Sequence, residues 1–186
     1  MATDRRIKYT KMVLRQALLE ILQERPIERV TVKEICDRAD INRSTFYVHY
    51  GSPQELLDGI RQEMYEEIKE KKRDFTNIKA YMADMCDIIY DNRELMQVML
   101  KAGKAETMFD IASIWKEDFL KGTDSSGLSR ADAEATFLYI TCGAMAVITT
   151  WLLGHLHMTR DQVVDKVYSL TMNGLKIYSK EEDNNV

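Results

Sequence analysis

Between Val30 and Leu57 the sequence starts a helix three times in quick succession, and this punctuation constrains the fold more than any other feature. "TVKE" at 31–34 is a capping box. The Thr31 hydroxyl accepts from the Glu34 amide, and the Glu34 carboxylate reaches back. Val32, Ile35, Cys36 and Ala39 then give a helix of about two turns its inner side. "DIN" at 40–42 makes a short turn, and Asn42 is a good N-cap for a further helix through Tyr50. "GSPQELL" opens the next one. Ser52 caps it, Pro53 takes the first helical position and Glu55 completes a second capping box. Its apolar stripe of Leu56, Leu57, Ile60, Met64 and Ile68 carries it to about residue 72.

Helical spacing extends to both sides of this segment. Val13, Leu14, Ala17, Leu18, Ile21 and Leu22 predict a helix over residues 5–24, which "ERPIERV" interrupts because proline disfavours helix in the residue before it. Beyond residue 76 the stripes continue through Ile78 to Ile89, a short helix over 93–100 and another over 104–121. "KGTDSSGLS" is the clearest loop. Ser129 to Asp132 resembles another cap, and "TRDQ" at 159–162 restarts a final helix carrying Val163, Val164, Val167, Tyr168, Leu170 and Leu175. No segment reads as a strand, and only two prolines and eight glycines interrupt the chain. The expectation is an all-α protein.

Two short helices joined by a turn of three or four residues form a helix-turn-helix. Laid out at about 100° per residue, the helix through Tyr50 divides its rings between two jobs. Phe46 and Tyr50 fall on the side facing a core. Ser44, Thr45, Val48 and His49 fall opposite, with Arg43 and Tyr47 one turn apart on the flank. The outward set suits a DNA major groove: Arg43 for guanine or phosphate, Ser44 and Thr45 for either, Val48 for a thymine methyl. Tyr47 and His49 donate to phosphate oxygens and set register, and Thr31 and Lys33 lie at the start of the preceding helix. Arg5, Arg6, Lys8, Lys11 and Arg15 reach adjacent backbone.

The stretch "VTVKEICDRADINRSTFYVHYGSPQELL" closely resembles the DNA-binding domain of the TetR/AcrR family of bacterial transcriptional regulators, over about the first 65 residues. The core from Thr45 to Tyr50 fits that family's T-[FL]-Y-x-H-[FY] pattern, so Thr45, Phe46, Tyr47, His49 and Tyr50 take its aromatic and threonine positions. The resemblance implies a three-helix head that binds DNA and a fourth helix linking head to body. Three positions depart from the family: Asp40, where glycine is frequent, and Gly51 and Pro53, where lysines are common.

Charge is distributed accordingly. Residues 1–50 hold ten Lys/Arg against seven Asp/Glu, while the whole chain has a net charge of −4. An end more basic than the remainder suits an anionic partner. Cys36, Cys86 and Cys142 are odd in number and widely spaced, so neither a disulfide framework nor a zinc site is expected. His155 and His157, two apart, diverge on a helix and make no metal pair. No phosphate-cradling glycine loop, HExxH or GxSxG appears, so neither catalytic residues nor a cofactor are expected. "MATDRRIKYT" has no apolar run behind its basic residues, so no signal peptide is expected and a cytoplasmic setting follows. From Thr136 to Leu156 the chain carries no charge, long enough as a helix to span a bilayer. Its four threonines, two glycines and His155 favour a soluble helix buried nearly all round over a membrane span.

The expected organisation is a helix-turn-helix head at 1–52, a connecting helix at 53–75 and a helical body at 76–186. The body's pattern looks like the family's regulatory domain. That resemblance implies a homodimer through the helices at 130–156 and 160–178, and a ligand pocket. Tyr81, Met85, Met96, Met99, Met108, Trp115, Tyr139 and Met145 are its candidate lining, which favours a small apolar effector. The function expected is a ligand-responsive repressor that binds a palindromic operator of double-stranded DNA as a dimer, rather than an enzyme or small-molecule carrier. The alternative is a helical adaptor or co-activator acting through protein partners.

Overall fold

A computed structural model describes residues 2–70, 78–102, 113–114, 116–123 and 128–179. Every regular element among them is helical. In chain order these are α1 (Ala2–Glu24), a 3₁₀ turn (Ile27–Arg29), α2 (Val32–Ala39), α3 (Arg43–His49), α4 (Pro53–Glu70), α5 (Ile78–Asp91) and α6 (Arg93–Lys101). Then follow α7 (Lys116–Thr123), α8 (Arg130–Leu152) and α9 (Arg160–Ser179). The helix expected over 104–121 lies largely outside the described residues.

The chain forms two compact units, Met1–Glu67 with Glu94–Gly103, and Ile68–Arg93 with Lys104–Val186. In the first, the apolar stripes of four helices meet: Leu14, Leu18 and Ile21 of α1, Ile35 of α2, Phe46 of α3, and Leu56, Ile60 and Met64 of α4 are all fully buried. The division expected at residue 76 placed the 93–100 helix in the body, whereas nearly all of α6 groups with the first unit. Leu95, Met96, Val98 and Met99 form its buried face, and Lys101 Nζ donates to Gln23 Oε1 of α1 at 2.7 Å.

In the second unit α9 packs against α5 and α8. Val163, Val164 and Val167 are buried with Cys86, Ile88 and Ile89 of α5 and with Phe137, Met145 and Ile148 of α8. Polar ties lie outside this core. Arg160 holds both Asp87 carboxylate oxygens in a fork, with Nε donating to Oδ1 at 2.7 Å, and Lys79 meets Asp165 at 2.6 Å. The Asp87 carboxylate, ahead of Asp161, keeps the Arg160 guanidinium above its ordinary pKa.

Two expectations about the charge-free run need correction. The helix ends at Leu152, not near residue 156, because Gly154 turns into the left-handed region at φ 78° and His155 N donates back to Thr150 O. It is also not buried all round: in its most apolar window only 28% is buried within the chain, although its length and composition would suit a membrane span. Ala135, Leu138, Tyr139, Cys142 and Ala146, spaced three or four apart, leave one apolar face open.

Candidate DNA-binding surface and effector cavity

The local signals that delimit the helix-turn-helix are present atom by atom. Glu34 N donates to Thr31 Oγ1 at 3.3 Å and Thr31 N donates to Glu34 Oε2 at 2.9 Å, closing the capping box. The hydrogen bonds from Thr31, side chain first and backbone second, hold the Glu34 carboxyl below its ordinary pKa. At the other end of α2, Asp40 adopts φ 52° and ψ 45°, the left-handed conformation that ends helices, and the amides of Asp40 and Ile41 both donate to Cys36 O. This accounts for the frequency of glycine there in related heads. Asn42 Oδ1 then accepts from Ser44 N at 3.0 Å to start α3.

Seven residues are too few to hold a helix alone, so α3 depends on its anchors. Phe46 is fully buried and Tyr50 nearly so, their ring centroids 6.0 Å apart. Burial pushes the Tyr50 phenol pKa up. Phe46 also receives Tyr47 edge-on at 5.7 Å, which fixes the base of a ring whose remainder faces solvent. Tyr47 is 59% and Val48 78% exposed. Arg43 and Ser44 are exposed too, as are Thr31 and Lys33 on α2. Thr45 and His49, expected fully outward, are half-buried, with the His49 ring 6.3 Å from that of Tyr50. The α3 surface therefore presents a cation, a hydroxyl, a phenol and a bare isopropyl group side by side, the mixture that meets phosphate and base edges in a groove.

At the start of α4, Glu55 N donates to Ser52 Oγ at 3.1 Å as expected, but the Glu55 carboxylate accepts from Gly51 N at 2.8 Å. Lys11 and Arg15 of α1 both lie 3.8 Å from Glu63 of α4, so part of the basic decoration of α1 serves the head's own packing.

The second unit contains a cavity of about 220 Å³. Met85 and Met145 line it, together with Cys86, Phe137, Thr141 and Thr171. The other candidates do not gather there. Tyr139 is 80% exposed, because it stands about 120° around α8 from Met145. Met96 and Met99 are buried on α6, which groups with the first unit. Met108, Trp115 and the side chain of Tyr81 lie outside the described residues. Cys86 was read only as one of three widely spaced cysteines and Phe137 only as part of the charge-free run, and nothing in the sequence marked Thr171. Among the described residues no cluster of metal-ligating side chains occurs.

A capped helix pair with an anchored, outward-facing second helix defines a helix-turn-helix DNA-binding head. The model of the bacterial regulatory proteins of the tetR family matches this head, over residues 14–60. The chain is 20% identical over 166 residues to the uncharacterized HTH-type transcriptional regulator YxbF of Bacillus subtilis (strain 168). That match covers 84% of this chain but 43% of YxbF, so the chain spans less than half of that relative's length. Among solved structures, the dihydroxyacetone kinase operon activator DhaS superposes with a TM-score of 0.66 at 16% identity, covering 90% of this chain and 97% of the other. The fatty acid degradation regulator FadR from Bacillus halodurans gives 0.65 at 14% identity, covering 90% and 96%. A TetR transcriptional regulator from Streptococcus agalactiae 2603V gives 0.62 at 21% identity, covering 92% and 98%. At these identities the likeness concerns the fold.

Proposed function

We propose that the protein is a TetR-like transcriptional regulator that binds a palindromic operator as a homodimer in the cytoplasm and represses until an effector occupies the second unit. The observation that carries this reading is the side-chain division of α3: Phe46 is fully buried while Val48, two residues on, is 78% exposed. An apolar side chain held bare on an anchored helix suits a thymine methyl. Tyr47, Arg43 and Ser44 surround it with groups for phosphate and base edges. Thr31 and Lys33 add backbone contacts from α2. The open apolar face of α8, with Leu138 and Tyr139 at its centre, supplies a self-complementary surface for a two-fold dimer. Paired α3 helices then meet half-sites one or more helical turns apart. Coupling through α4 of about 1–3 kcal/mol releases the operator about 5–150-fold when the effector binds.

The test is binding of the purified protein to DNA upstream of its own coding region, titrated against salt. A steep salt slope and a marked preference over random DNA are expected. Tyr47→Ala, checked for folding by circular dichroism, should weaken binding to operator and random DNA alike because it removes a phosphate contact, whereas Val48→Ala should lower the preference itself through the lost thymine-methyl contact. A shallow slope with equal affinity for random DNA would instead favour an adaptor acting through protein partners. Because the same fold carries a named operon activator, a reporter assay with and without the gene reads the sign of regulation.

A further inference from the structure

The cations of the head divide by what holds them. Lys11 and Arg15 face Glu63, Arg38 at the end of α2 faces Glu20 and Glu24 of α1, and Arg25 meets Glu34 at 2.8 Å. These side chains tie the head's helices to one another. Arg29 differs. It is exposed, and among the described residues no carboxylate pairs with it. Its position follows from the backbone. The 3₁₀ turn is closed by Arg29 N donating to Pro26 O at 3.1 Å and Val30 N donating to Ile27 O at 3.0 Å. Val30 then runs extended at φ −93° and ψ 133°, and Thr31 at φ −109° and ψ 150°. Successive side chains of an extended chain point to opposite sides. Val30 is buried, so Arg29 and Thr31 share the outward side, where both are exposed. Lys33, in the first turn of α2, is the next exposed cation.

The acidic groups nearby leave this edge basic. Glu34 accepts from Thr31 Oγ1 at 2.8 Å and from Thr31 N at 2.9 Å, and Arg25 neutralises its charge. Glu28 precedes Arg29 in the turn, about 120° away around a 3₁₀ helix, and makes no ion pair with it. Thr31 gives its hydroxyl to the cap of α2, so the charge flanking it comes from Arg29 and Lys33.

The first helix of a helix-turn-helix crosses the sugar-phosphate backbone while the second enters the groove. We infer that Arg29 is a phosphate-contacting residue of the head, which with Lys33 grips the DNA backbone on either side of Thr31 and sets the register of α3 without reading sequence. This rests on the DNA-binding reading and adds to it the residue that carries charge ahead of α2. The planar guanidinium fork takes two phosphate oxygens at once. The closed turn and the buried Val30 present it from a rigid base, so little order is lost on binding. Arg38, engaged by two carboxylates of α1, makes no such contact.

The experiment titrates the full chain against salt on a random duplex and on DNA upstream of its own coding region. Arg29→Gln, at an exposed site, should reduce the slope of log affinity against log salt by about 0.9 on both DNAs and leave the preference between them unchanged. Arg29→Lys should restore the slope. Arg38→Gln, which removes the same charge from a paired position, should leave the slope as in wild type, with folding of each variant checked by circular dichroism. A wild-type slope in Arg29→Gln would overturn the inference, as would equal flattening in Arg38→Gln or a loss confined to the upstream DNA. A wild-type protein that binds neither DNA in a salt-dependent way would instead sink the DNA-binding reading, and this inference with it.

Discussion

A Cβ added to Gly59 would stand 3.4 Å from Tyr50 Cε1, so the ring that closes α3 packs against bare backbone in the middle of α4. The recognition helix is therefore seated on the connecting helix through one aromatic side chain and one missing methyl group. At 3.4 Å a methyl makes ordinary contact, and alanine gains about 1 kcal/mol of helix propensity over glycine. Gly59→Ala should raise stability by up to about 1 kcal/mol with operator binding intact. Gly59→Leu overfills the gap, should lose about 1–3 kcal/mol, and should weaken operator binding because Tyr50 is pushed off its seat. Denaturant unfolding and operator titration of both variants check this pair.

Asp40 spends its backbone in the left-handed region to end α2. A residue with a Cβ costs about 1–2 kcal/mol there, less for aspartate, and glycine almost nothing. Asp40→Gly should stabilise the head by about 0.5–1 kcal/mol, read as a higher denaturant midpoint at constant slope. Asp40→Val, with a branched Cβ, should do the reverse.

Gly51 lies at the entrance to α4, where lysines are common in the heads it resembles. A Cβ there would meet Glu55 Oε2 at 2.8 Å, but that atom is the tip of a flexible side chain and swings aside. Gly51→Lys gives up the hydrogen bond from Gly51 N to Glu55, at about 1 kcal/mol or less. In exchange it gains a phosphate contact. The slope of log affinity against log salt should steepen by about 0.9, measured on operator and random DNA alike, since a phosphate contact reads no sequence.

Glu34 sets an acid limit on the head. Its carboxyl titrates below the ordinary 4.5 because the Thr31 hydroxyl and amide, and then Arg25, favour the ionised form. A depressed folded-state pKa contributes stability that is fully present above about 4.5 and is lost as pH falls through the folded value. Wild type should therefore lose this contribution across the acid limb of its stability profile. Glu34→Gln, which keeps a capping side chain without the charge, should flatten that limb. Thermal melts from neutral to acid pH test it.

The sequence by itself determined where helices begin. Thr31, Asn42, Ser52 and Ser129 all cap as read, because an N-cap is an exchange between one side chain and amides two or three residues away. It also determined the two sides of α3, since an angle of about 100° per residue and the size of Phe46 and Tyr50 leave one way to bury them. Tertiary structure alone decided which apolar stripes share an interior. Met96 and Met145 read alike in sequence, yet one fills α6 on the first unit and the other lines a cavity in the second. It also decided that Tyr139 faces outward and that Thr171 reaches the cavity. Periodicity gives the angle between residues on one helix, but the direction that helix turns toward its neighbours follows from the packing of all of them at once.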